Sequence, residues 1–167
     1  MGTRILVPII VSLCALMLAG TTQPKEENGM TQPRSDKRAH AVAKVTVQSS
    51  EAKPYEQTAG PALVEIIIKE TFTGDIDGES PVRALQVQRG DHSASMVSLQ
   101  RVRGKLGGRE GTFVLQGSEV IANGKIKAIW FVVPGSGTGG LSGLRGEGGF
   151  EGDFGKGSEA TLDYWFD

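Results

Sequence analysis

From Ala41 onward, apolar and polar residues alternate with a period of two. No window repeats apolar positions at i, i+3, i+4 and i+7 as an amphipathic helix would. The alternation falls into eight segments: AVAKVTVQS (41–49), ALVEIIIKETFTGDI (62–76), VRALQVQ (82–88), ASMVSLQRVRGKL (94–106), GTFVLQG (111–117), KIKAIWFVV (125–133), LSGLRGEGGF (141–150) and EATLDYWF (159–166). Short joints carry turn chemistry, RGDH at Arg89–His92, LGGRE at Leu106–Glu110 and ANGK at Ala122–Lys125. Asn123 and Gly124 suit a two-residue hairpin because both tolerate positive φ. Successive hairpins place neighbours in chain order, so the pattern predicts an antiparallel meander.

An open meander of eight strands exposes two unpaired edges, and closure removes them. The glycines support closure. One face of the second segment reads Phe72, Gly74, Ile76, Gly78, and one face of the fourth reads Met96, Ser98, Gln100, Val102, Gly104, Leu106. The sixth gives Ile126, Ala128, Trp130, Val132, while Asp75, Asp77, Lys125 and Lys127 fall on the other side. Bulky and small residues mixed at period two fit the tapering interior of a small barrel. Glycine weakens a strand by roughly 0.5–1 kcal/mol against alanine, so its density in Pro134–Gly155 marks a wall that needs curvature or close contact.

The first twenty residues differ. A basic start, the apolar run ILVPIIVSLCALML and the small residues AGTT have the layout of a secretory signal peptide (1–20), and the run is short for a membrane span. The polar stretch that follows, with two prolines and no periodicity, reads as a disordered tether (21–40) ahead of the folded domain (41–167). The expected location is therefore periplasmic or secreted, with no membrane span after cleavage. Met30 offers an alternative start that would give a cytoplasmic form. Cys14, the single cysteine, lies in the leader, which leaves the mature chain without a disulfide, thiol nucleophile or cysteine metal site.

A net charge of −1 over 167 residues supplies no basic field for nucleic acid. Gly135, Gly137 and Gly140 match G-x-G-x-x-G, but LSGLRGEGGF after them is too rich in glycine for the helix a dinucleotide site requires. His40 and His92 stand in the tether and a turn, so no histidine-centred metal site or triad is expected, and no cofactor is implied. The RGD tripeptide at Arg89–Asp91 suits a hairpin turn.

FTGDIDGE (72–79), VSLQRVRGKLGGREGTFVLQ (97–116), WFVVPGSGTGGLSGLRGEGGFE (130–151) and the closing TLDYWF resemble the bacterial family known as domain of unknown function 3224. That family is similar in turn to the allene oxide cyclase barrel, a closed eight-stranded antiparallel meander. The resemblance implies an all-β fold and leaves the function open. The chain departs from the family pattern at three positions. Gln100 stands where glutamate is usual, Gly117 where histidine is frequent and Ser50 where tryptophan is common. Small residues at 50 and 117 would enlarge an interior pocket.

Six inward positions are candidates for a ligand site: Glu70, Phe72, Met96, Gln100, Trp130 and Tyr164. A carboxyl at Glu70 on an apolar face would have its pKa pushed upward, as an acid or base requires, unless a bulge turns it to water. Gln100 could hold a polar ligand group or satisfy the backbone. Trp130 and Tyr164 would serve equally as core filler. Arg101, Arg103, Arg109 and Arg145 read as a solvated face, with Glu147 two residues from Arg145. Three functions are compatible with these residues. The first is a barrel holding a small apolar ligand. The second is an enzyme of cyclase or isomerase type, for which no catalytic constellation is visible, and the third is a filled barrel acting through its surface or as a homo-oligomer.

Overall fold

The computed structural model describes residues 37–57 and 60–167; the expected signal segment and most of the tether lie outside them. Eight strands, β1 (Ala39–Glu56), β2 (Ala62–Gly74), β3 (Ile76–Gln88), β4 (Ala94–Leu106), β5 (Arg109–Ala122), β6 (Lys125–Val132), β7 (Leu144–Asp153) and β8 (Ser158–Phe166), follow one another round a closed antiparallel barrel. The last strand bonds to the first from Ala39↔Tyr164 to Val45↔Ser158. Ala39 and His40, expected in the tether, are thus already part of β1, and His40 Nδ1 lies 2.6 Å from Asp163 Oδ1.

Several boundaries depart from the alternation. β1 runs on to Glu56, seven residues past the expected 49, because it stays paired with β2 as far as Glu56↔Leu63 across a bulge. The segment expected to run from 62 to 76 breaks at Asp75, where Gly74 takes φ +139°. Asp75 then bridges the junction: its N–H donates to Val42 O at 2.9 Å and its Oδ2 accepts from Val42 N at 3.0 Å. β3 consequently starts at Ile76, six residues before the expected 82, and carries Pro81 in its interior. The ladder to β4 omits Ser80 and Pro81, as a residue without an N–H requires. β5 extends to Ala122 rather than Gly117, and β7 begins at Leu144 rather than 141.

That last shift divides the glycine-dense stretch in two. Its first part is a connection with a single 3-10 turn, Gly139–Leu141, from which Leu141 is fully buried in the core. Its second part is barrel wall. A β-carbon at Gly148 would run into the carbonyl of Thr161 on β8, and one at Gly149 into that of Ala128 on β6. Glycine here allows β7 to be flanked closely on both sides.

The interior is filled unequally. Near the β2–β3 junction, Phe72, Ile76, Leu106, Phe113, Leu115 and Leu162 form a continuous cluster with at most 2% exposure. Towards the other end only a smaller group, Ala84, Ala94, Met96, Ile121 and Ile126, is buried. Outside, Leu85, Val97, Leu99, Val120, Ile129 and Phe131 are exposed along β3 to β6.

Candidate functional site

The thinly packed end encloses a cavity of about 330 Å³. Its apolar wall includes Ile66, Ile68, Val82, Met96, Ile126 and Phe150. β1 reaches it through a bulge between Val47 and Ser49, a common device for re-aiming side chains in a sheet. One extra residue reverses the alternation, so Val45 and Val47 line the cavity before the bulge and Ser50 after it. Phe154, Gly155 and Gly157 from the β7–β8 turn complete the rim.

Polar groups reach this wall from most of the strands, and the buried ones lie on β2, β4 and β5. Glu70 on β2 lies inward, and its carboxyl is pushed up to about 7, first by burial and then by the negative charge of Glu119. Glu119 on β5 is 5% exposed and raised as well by burial, partly countered by a hydrogen bond from Ser98. Ser98 Oγ donates to Glu119 Oε1 at 2.6 Å, whereas Oε2 is buried with no partner. Gln100 is held differently: its Oε1 accepts from Ser80 Oγ at 2.9 Å. That pair sits where Pro81 interrupts the β3–β4 ladder, so Ser80 and Gln100 satisfy each other.

No Lys, Arg or His lines the cavity among the described residues. Asp153, the third acid of the lining, is occupied at the rim, accepting from Lys125 Nζ at 2.5 Å with Lys156 Nζ at 3.6 Å. Two of the surface arginines singled out in the sequence, Arg109 and Arg145, are engaged elsewhere. Arg145 Nε contacts Asp167 Oδ2 at 2.6 Å, Arg38 pairs with Glu147, and Arg109 lies over the Phe166 ring. Asp91 of the RGD turn accepts from the N–H and Oγ of Ser93.

Of the six candidates, Glu70, Met96 and Gln100 line the cavity. Phe72 and Trp130 belong to the filled half, with Trp130 packed between Phe72 and Phe150 at centroid distances of 6.2 and 5.3 Å. Its Nε1 donates to Thr161 O at 3.3 Å, so the indole is a floor beneath Phe150. Tyr164 packs against the same filled cluster and crosses to the Gly107 turn, away from the cavity. The space freed by glycine at 117 is not pocket either, because the Glu119 carboxylate and Ser98 Oγ occupy it.

Glu119 and Ser98 were absent from the six. Glu119 follows the two-residue phase of Phe113, Leu115 and Gly117, and the tight turn at Asn123-Gly124 pairs Ala122 with Lys125. A hairpin that tight requires strand up to 122, which places 119 inside.

Among the described residues no cluster of three metal-ligating side chains occurs, and no helix is long and apolar enough to cross a membrane.

These features define a small closed β-barrel, solid at one end and hollow at the other, with an acidic group in the hollow. The family described as "Protein of unknown function (DUF3224)" matches residues 41–166, and the chain belongs to it. A crystal structure at 1.84 Å of a protein with unknown function from the same family, from Shewanella oneidensis MR-1, is similar, with a TM-score of 0.67 and 27% identity. The match covers 78% of this chain and 98% of that one. No curated protein matches the chain.

Proposed function

We propose that the protein binds a small, largely apolar molecule in the hollow half of its barrel. The carrying observation is the 330 Å³ cavity, bounded by apolar side chains yet left unfilled beside a tightly packed core. Its volume falls at the lower end for small-molecule sites, and a mostly apolar wall with few polar groups is their usual composition. Native mass spectrometry of the purified protein tests this. A co-purified lipid-like species, or a shift with hydrophobic fluorophores, is expected. Clean apo protein with no response across such a panel overturns it.

Glu70 favours a second reading, an isomerase- or cyclase-type enzyme acting on a molecule held in the same cavity. A carboxyl titrating near 7 is matched to proton transfer at neutral pH. In that case Glu70→Gln abolishes turnover while retaining binding, whereas a binding protein shows no turnover to lose.

A further inference from the structure

Above neutral pH, where Glu70 ionises beside Glu119, the cavity holds like charges that an apolar ligand alone would not answer. Glu70 and Glu119 face it from β2 and β5, Asp153 from β7, and no cationic side chain lines it among the described residues. Lys125 and Lys156 stand at the rim on Asp153. A buried carboxylate oxygen normally has a hydrogen-bond donor, and leaving one unmatched is costly. Glu119 Oε2 has none, while the other oxygen of that carboxylate is fixed by Ser98. Ser98 therefore holds one oxygen of the carboxylate and leaves the other, almost wholly buried, without a donor.

We propose that the ligand is an amine with an apolar body, its protonated nitrogen donating to Glu119 Oε2 and to the Glu70 carboxylate while its hydrocarbon part lies against Ile66, Met96, Ile126 and Phe150. This rests on the reading of the cavity as a ligand site. An ammonium supplies three donors and a positive charge, which answers both the unmatched oxygen and the like-charge pair. A carboxylic acid ligand would add a further negative charge. An alcohol would supply one donor and no charge.

Three probes sharing one carbon skeleton separate these cases: n-hexylamine, 1-hexanol and hexanoate, titrated into the full chain near pH 8, where an alkylamine remains protonated. Hexylamine should bind at least about tenfold more tightly than hexanol, as one charge-assisted hydrogen bond warrants, and hexanoate should not bind. Glu119→Gln keeps the size of the side chain and should cut the preference for hexylamine several-fold, and Glu70→Gln with Glu119→Gln should bring hexylamine to within about twofold of hexanol, leaving hexanol unchanged in both. Equal binding of amine and alcohol, or preference for hexanoate, overturns the proposal and leaves the apolar cavity standing. Failure of all three probes beside a positive fluorophore response does the same. Failure of every probe, fluorophores included, overturns both.

Discussion

Gly117 and Glu119 lie two residues apart on the inner face of β5, and the carboxylate of the second fills the space that a β-carbon on the first would take. Such a β-carbon would also fall 2.6 Å from Ser98 Oγ. Gly117→Ala must therefore displace the Ser98–Glu119 pair or the strand itself. Overpacking of this kind costs about 1–3 kcal/mol, and chemical denaturation should register a loss in that range. An unchanged midpoint would mean that the carboxylate moves aside freely and that its orientation is not fixed by packing.

Stability should decline as pH rises towards neutrality. Glu70 and Glu119 both bind a proton more tightly in the folded protein than in an unfolded chain, where the ordinary value is 4.5. Their contribution is fully present below 4.5 and is lost as pH rises through about 7, where Glu70 ionises in the barrel. For Glu70 the loss is on the order of 2–3 kcal/mol, allowing for its partial contact with solvent. Glu70→Gln should flatten the profile and raise stability above neutral pH. Equilibrium unfolding at a series of pH values checks the slope, and an increase across this window in the wild-type protein would contradict the burial assigned to Glu70.

How far the alternation carried depended on what else each segment had to satisfy. Where strands are regular, as in β4, the inward set from Met96 to Leu106 follows directly from period two. Where a turn takes one residue instead of four, composition misleads. DGESP, between the second and third segments, resembles a loop, yet the reversal falls earlier, at Gly74 and Asp75 within the expected strand, and Pro81 remains within a strand. The acidic half of the cavity was hidden for a related reason. QGSEV carries glycine and serine, which suggest a turn, and only the tightness of the next hairpin forces it into β5. The β1 bulge left no composition signal, so the inward position of Ser50 depends on three-dimensional pairing alone.

Gly104 faces Gly78 across β3 and β4 near the filled end, and both have positive φ, +153° and +159°. A β-carbon at 104 would collide with the carbonyl of Asp77 and fall 2.7 Å from Gly78 Cα. Backbone atoms cannot yield as a flexible side chain can. Gly104→Ala combines this collision with an unfavourable φ and should destabilise the barrel by about 3 kcal/mol or more. Recovery of soluble, cooperatively unfolding protein with wild-type stability would show that the two strands separate more easily than their pairing implies.

Trp130 is the floor on which the cavity's Phe150 rests, and it contributes no lining itself. Its replacement therefore tests whether the hollow and the core are distinct. Trp130→Ala removes the contacts with Phe72 and Phe150 and the hydrogen bond to Thr161 O. The expected cost is about 3–5 kcal/mol, as for other large aromatic truncations in cores. If the variant still folds, the new void joins the cavity only if Phe150 swings down into it, and bulkier fluorophores excluded from the wild-type protein should then bind. Trp130→Phe retains an aromatic floor and should leave probe selectivity unchanged at a smaller loss of stability. Identical selectivity in the wild-type protein and the folded alanine variant would show that Phe150 is held in place without the indole beneath it.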